Sequence, residues 1–275
     1  MSGRIIPDIL TKEKIKARFK GGVIGKDIIF YEAATSTSEK AMEMGSRRKG
    51  ERLEGTVIVA DAQTRGKGRF GREWISPPGS NLYFTVLLEP CFPAAETPII
   101  TLMAAVAVVS AIREHTGLDA SIKWPNDVLV DGKKAGGILT DMRSDSKGID
   151  FVAVGIGINV NMPLNVLPEE LRPVTTSLKA EKGETIDRAE LLGDILYKLD
   201  LWYQRLLTGE KKALLDEWLS LNSTIGNRVQ VKTEDRIISG LAQGIGDDGE
   251  LIVRLSSGDV EKFCSGEVTI IRNNK

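Results

Sequence analysis

Thr56-Val-Ile-Val-Ala60, Gln63-Thr-Arg-Gly-Lys-Gly-Arg-Phe-Gly-Arg-Glu-Trp74 and Leu82-Tyr-Phe-Thr-Val-Leu-Leu88 follow one another along the chain. The outer two are apolar runs of buried-strand length, and the middle one alternates glycines with cations. Gly66-x-Gly68-x-x-Gly71 matches the dinucleotide fingerprint, follows a strand, and has Glu89 near the place of a ribose-binding acid. That fingerprint also needs a helix opening at its glycines. Trp74-Ile-Ser-Pro-Pro-Gly79 excludes a useful one, because Pro77 and Pro78 lack a backbone donor and clash with the preceding turn. The unit is therefore strand, loop, strand, which argues against a doubly wound nucleotide fold.

On the N-terminal side, Lys12 to Phe19 reads as a short helix capped by Thr11, Ile28 to Tyr31 as the first strand, and Ser36 or Thr37 as the cap of a helix ending near Arg47. On the C-terminal side, Pro98 to His115 is a long apolar helix stopped by Gly117. Two short strands flank Asp131-Gly132, the dipeptide of a type I′ hairpin, and Phe151 to Val160 is a further strand. Helices follow near Asp187 to Leu207 and Lys211 to Leu221. Strands outnumber the helices between them, so the expected class is α+β, a mixed sheet with helices packed against it. Short β segments then begin: Arg228 to Lys232, Ile237 to Ala242, Leu251 to Leu255 and Val268 to Arg272. The pattern predicts a domain over residues 1–222 and a small β-barrel over 223–275 that depends on packing against the first.

With 41% hydrophobic residues in 275, the chain can bury a substantial core. Its 37 Lys and Arg nearly balance 38 Asp and Glu, so no net field draws it to nucleic acid or anionic lipid. Lys12, Lys14, Lys16, Arg18 and Lys20 read as a solvated face, and the 27 residues before the first strand are too few for a DNA-binding helix-turn-helix domain. Cys91 and Cys264 fit no metal or redox spacing and are expected to be buried in a reducing compartment. No signal-peptide run and no uninterrupted apolar stretch approaching 18 residues is present, so a cytoplasmic protein without membrane contact is expected. One histidine, His115, excludes His-based triads and zinc clusters, and no protein-held metal site is expected.

Three segments carry chemistry. The loop's glycines 66, 68 and 71 permit positive φ and close backbone approach, while Lys67, Arg69 and Arg72 supply charge for an anion. The alternative is a solvated arginine-rich turn. A P-loop is absent, since Gly21-Gly-Val-Ile-Gly-Lys26 has the wrong spacing. In Lys123-Trp-Pro-Asn-Asp127, proline biases Trp124 to an extended backbone, so that sheet geometry aims Lys123 and Asn126; the alternative is a surface lysine in a turn. In Gly155-Ile-Gly-Ile-Asn-Val-Asn161, Asn159 offers donor and acceptor groups suited to a purine edge, or the glycines serve only close packing.

Together these segments resemble the biotin protein ligases. The family's Gly-Arg-Gly-Arg-x-Gly-Arg-x-Trp motif stands here as Gly66-Lys-Gly-Arg-Phe-Gly-Arg-Glu-Trp74. Lys123 to Asp127, Gly137-Ile-Leu, Gly157-Ile-Asn159 and Ser265-Gly-Glu-Val268 resemble further family blocks in the expected order, over nearly the whole chain. The resemblance implies a fold like that of class II aminoacyl-tRNA synthetases, an SH3-like C-terminal barrel, and the ligase-only class without a DNA-binding domain. It implies ATP- and Mg2+-dependent activation of biotin to biotinyl-5′-AMP, then transfer to a lysine of a biotin carboxyl carrier domain, by a homodimer. Lys123 and Arg69 would be catalytic. Ser36, Thr37, Ser38, Gln63, Lys67, Gly68, Arg69, Lys123, Gly136 and Gly137 would bind biotin. Arg69, Arg72, Trp74, Lys123, Asn126 and Asn159 would bind ATP. Two positions depart from the family, Ser38 for Asn and Lys67 for Arg; the second replaces a bidentate fork by a point charge. The rival functions are a lipoate- or octanoate-type ligase of the same fold and a non-catalytic biotin-sensing module.

Overall fold

In the computed structural model, which describes residues 9–19, 22–48, 50–146 and 148–271, Val57 and Val59 pack into one hydrophobic cluster and Ile58 into another. Successive side chains of a strand point to opposite faces, so these apolar runs belong to a sheet buried on both sides. Its strands are β1 (Ile28–Ala34), β2 (Val57–Gln63), β3 (Leu82–Leu88), β4 (Ala120–Lys123), β5 (Asp127–Val130), β6 (Lys133–Asp145) and β7 (Gly148–Ile158). They lie in the order β1-β2-β3-β7-β6-β5-β4. β1 and β2 are parallel and all other neighbours antiparallel, which makes the sheet mixed.

The helices are α1 (Lys12–Arg18), α2 (Thr37–Arg47), α3 (Pro98–Thr116), α4 (Leu178–Lys182), α5 (Arg188–Leu207) and α6 (Lys211–Leu221). Thr11 caps α1 by accepting from the Lys14 N–H, and Asp187 caps α5 through Ala189 and Glu190. Gly117 ends α3 at φ 74°, a conformation that costs glycine no Cβ clash. α3 is apolar nearly all round, as a helix must be when protein surrounds it. With the turn before it, this segment is long and apolar enough to cross a membrane, yet most of it is buried against the sheet, α5 and α6. α2 covers the opposite face, where Ala41 meets Ile58, Leu87, Phe151 and Ala153. Because α2 is only 11 residues long, part of this face is left to the site.

After α6 come β8 (Arg228–Lys232), β9 (Ile237–Ile245), β10 (Leu251–Leu255), β11 (Val260–Phe263) and β12 (Glu267–Ile270). They form a five-stranded antiparallel sheet in the order β11-β10-β9-β8-β12, the expected SH3-like unit. Its inward residues Val229, Val231, Leu251, Val253 and Val268 join the main core. Lys211 reinforces the join, reaching Asp248 at 2.6 Å and Glu96 at 3.0 Å.

Several expectations need correction. β6 runs 13 residues, not a short strand, because it pairs with both β5 and the whole of β7. α4 and β11 were not expected; β11 has only two apolar residues and sits at a sheet edge. Cys91 and Cys264 are exposed rather than buried, the first in the loop after β3 and the second in the turn before β12. Lys20 and Arg272 lie outside the described residues.

Candidate active site

A cavity of about 800 Å³ opens on the α2 side of the sheet. Its floor is made by missing side chains. Gly155 and Gly157 of β7 follow Ala153 on that face, and Gly137 of β6 pairs directly with Gly157. The Trp74 indole lies over this pair: a Cβ would sit 2.7 Å from its Nε1 at Gly157 and 3.5 Å from its Cζ3 at Gly137. Lys134 Nζ stands 5.5 Å above the Trp74 ring. The Trp74 indole N–H is buried against this floor and meets no acceptor among the described residues.

The first turn of α2 closes one end. Ser36 occupies the cap position but makes no side-chain capping bond, so its buried hydroxyl is not committed to that role. Gln63 Oε1 accepts from the Thr37 backbone at 2.8 Å, while Gln63 Nε2 donates to Ser76 at 2.9 Å. Thr85 donates to Thr37 at 2.9 Å and lies 3.4 Å from Ser38 Oγ. A row of small polar groups therefore faces the cavity end.

The 66–74 loop forms a tight ribbon over the opening, tied by Gly68 N–H to Arg72 O at 2.8 Å and Trp74 N–H to Gly66 O at 2.9 Å. Gly66 is needed for close approach, since a Cβ would sit 2.3 Å from Trp74 O. Positive φ is used at Gly71 (72°), but the other left-handed position is Phe70 (57°), and Gly68 is extended. Lys67 Nζ bonds Glu39 at 3.2 Å. A hydrogen bond from Thr35, then one from Lys67, holds the Glu39 carboxyl below the usual range. Arg69 donates to Asn126 Oδ1 at 3.0 Å and to Gly266 O at 3.1 Å. Burial pulls its pKa down, yet a guanidinium stays charged. Arg72 pairs with Glu267, whose carboxyl that contact lowers.

The Lys123–Asp127 segment is a turn, not extended chain. Lys123 pairs with Asp127 across the β4–β5 hairpin, and residues 124–126 reverse direction, with a cis Trp124–Pro125 bond. The C-terminal unit holds this turn: Trp124 N–H donates to Thr224 Oγ1 and its indole to Gly249 O, both at 2.9 Å. One carboxylate then gathers two lysines, with Asp127 2.8 Å from Lys123 Nζ and 2.5 Å from Lys134 Nζ. Burial pushes the Asp127 carboxyl up, but Lys134 and then Lys123 outweigh it and the net direction is down.

The structure brings every sequence-predicted residue to this cavity except Gly136. A bulge between Val128 and Leu129 pairs Asp127 with Gly137 and Val128 with Gly136. Gly136 therefore faces the core, where a Cβ would meet Ile158 at 2.7 Å. Asn159 reaches the cavity, and one of its amide N–H groups donates to Thr176 O at 3.0 Å, which anchors the loop after β7. Lys134, Asp127 and Glu267 also line the cavity and were not anticipated. The signal for Lys134 existed: a two-residue turn at Asp131-Gly132 pairs Leu129 with Lys134, on the face of Asp127. No group of three or more His, Cys, Asp or Glu able to hold a metal occurs among the described residues.

This mixed sheet and cation-lined cavity define the class: residues 32–159 match the model of the biotin/lipoate A/B protein ligase family, and 224–270 match the biotin protein ligase C-terminal domain. The chain is 37% identical to the bifunctional ligase/repressor BirA of Bacillus subtilis, over 96% of this chain and 80% of the relative. It is 32% identical to the biotin–[acetyl-CoA-carboxylase] ligase of Paracoccus denitrificans, over 81% of this chain and 92% of that one. The solved biotin protein ligase of Aquifex aeolicus in complex with biotin and ATP superposes with a TM-score of 0.75 at 30% identity, covering 90% of this chain and all of the other. The chain belongs to the biotin protein ligase family.

Proposed function

We propose that this chain joins biotin to ATP as biotinyl-5′-AMP and passes the biotinyl group to a lysine of a biotin carboxyl carrier domain. The observation that carries the proposal is that Lys123, Lys134, Arg69 and Arg72 all line one cavity whose floor is glycine. Two anions must meet, and fixed cations offset their repulsion before reaction.

In the first step a biotin carboxylate oxygen attacks the α-phosphorus, the bond to the β-phosphate oxygen breaks, and pyrophosphate leaves. Lys123 bridges carboxylate and α-phosphate, while Arg69 and Arg72 hold phosphate oxygens. In the second step a neutral acceptor amine attacks the acyl carbon, AMP departs, and the nitrogen loses its proton. Ser36, Thr37, Ser38, Gln63, Lys67 and the 68 and 137 glycines surround biotin; Trp74, Asn126 and Asn159 frame the nucleotide. Magnesium enters on the phosphates of ATP, since Asp127 and Glu267 are each engaged by cations. A cytoplasmic homodimer needing neither nucleic acid nor membrane completes the proposal.

Pyrophosphate exchange measured with biotin and with lipoate tests this function. Exchange driven by biotin is expected; exchange with lipoate alone identifies the lipoate-type activity, and bound biotin without exchange identifies a sensing module. Arg69→Gly is expected to retain adenylate synthesis but to hold the intermediate about tenfold less well, in keeping with the loss of a charge-assisted bond. Biotinylation of bystander lysines reads this out, and unaltered retention contradicts the shielding role. At Gly155 an added methyl lies 2.3 Å from Ser38 Oγ. The methyl displaces that hydroxyl, and losing one hydrogen bond of about 1 kcal/mol at the biotin end is expected to raise the KM for biotin about fivefold in Gly155→Ala. A matching rise in the KM for ATP would show that the methyl does not act at the biotin end.

A further inference from the structure

Phe70 is an exposed aromatic residue, 57% accessible, at the tip of the loop that carries the phosphate cations. Its backbone is left-handed (φ 57°, ψ 34°), a region that non-glycine residues rarely occupy. Glycine would fit that conformation more easily, and the next residue, Gly71, is one. The residue nevertheless lines the cavity, and its ring is close to two guanidiniums: Arg69 Cζ is 4.8 Å from its centroid and Arg72 Cζ 5.9 Å. Both distances are within the range of cation–π attraction.

From these observations we infer that Phe70 is a positioning residue for phosphate binding, its ring a common platform that holds Arg69 and Arg72 toward the cavity. The inference rests on the ATP-dependent function proposed above. The polar partners of the two arginines, Asn126 and Gly266 for Arg69 and Glu267 for Arg72, all lie on other segments. A phosphate that draws the guanidiniums inward competes with those contacts. The ring belongs to the same ribbon as both arginines and stays with them. It therefore limits how far either side chain can turn to solvent when its polar partner is released.

Three variants separate the ring from the backbone. Phe70→Leu keeps apolar bulk without the π face, Phe70→Tyr keeps the π face, and Phe70→Gly relieves the left-handed conformation while removing the ring. Calorimetric binding of magnesium pyrophosphate, with and without saturating biotin, is measured for each beside the KM for ATP and for biotin. Losing two exposed cation–π contacts corresponds to about fivefold weaker pyrophosphate binding and a similar rise in the KM for ATP. This is expected for Phe70→Leu and for Phe70→Gly, with the KM for biotin unmoved, the unfolding midpoint of Phe70→Gly not lowered, and function restored in Phe70→Tyr. Equal pyrophosphate binding in wild type and Phe70→Leu overturns the inference, as does a Phe70→Tyr variant as weak as Phe70→Leu. Failure of the biotin ligase proposal is separately visible, as wild-type protein that binds pyrophosphate but shows no biotin-dependent exchange.

Discussion

Lys123→Ala is expected to lower biotin-dependent pyrophosphate exchange by about 10²–10³-fold, the size seen when one preorganised electrostatic group is removed from a transition state. The fold should persist. Lys123 ends β4, and its ammonium is partly solvated in a salt bridge with Asp127. Its removal leaves Asp127 paired with Lys134, so the stability cost is about 1 kcal/mol or less. The large kinetic loss follows from how the turn is built. Trp124 is fully buried and bonded twice to the C-terminal unit, and Asn126 donates to Ile138 O at 2.8 Å while accepting from Arg69. These bonds fix the backbone from which Lys123 projects into the cavity. Exchange at the wild-type rate in a folded Lys123→Ala protein would remove this lysine from the reaction.

Asp127→Asn is expected to cost both stability and activity. Asp127 is the shared acceptor of two ammonium groups, and an amide leaves them facing one another without a counterion. Losing the charge on the shared acceptor of two part-exposed ammonium groups costs about 2 kcal/mol, the scale of a hydrogen bond to a charged group. The pH dependence has a definite sign. Burial raises the Asp127 pKa, Lys134 and then Lys123 lower it further than burial raises it, and the folded value lies below the unfolded one. A carboxyl of that kind contributes stability that is complete above its unfolded pKa, about 3.9, and is lost as pH falls through the lower folded value. The stability gap between wild type and Asp127→Asn is therefore full at neutral pH and closes in acid. Denaturant unfolding of both proteins between pH 7 and pH 3 measures it, and a gap independent of pH would contradict the pairing.

Much of this site was legible in the sequence because the strand–loop–strand reading depended on local chemistry. Pro77 and Pro78 excluded the dinucleotide helix, and the alternating glycines and cations of residues 66–72 marked an anion loop. The hairpin at Asp131-Gly132 was legible for the same reason, both residues taking positive φ. What was missed depends on register and long-range contact. Gly136 and Gly137 are adjacent and chemically identical, and only the bulge at Val128/Leu129 determines which one faces the cavity. That one amide N–H of Asn159 is taken by Thr176 O, in the loop after β7, was equally hidden from the sequence. Glu267 lies 195 residues from Arg72, and no local pattern could pair them. Nothing in the sequence marked Phe70, whose left-handed backbone and place beside two arginines appear only in the fold.

The cations that line this one cavity join two mutually repelling anions. This is tested most directly by mixing the protein with equimolar biotin and magnesium ATP, quenching, and counting products by mass spectrometry. Close to one biotinyl-adenylate retained per chain is expected, with an equal yield of pyrophosphate and discharge of the adenylate when a carrier domain is added. Protein that binds biotin and ATP together yet forms no adenylate would contradict it.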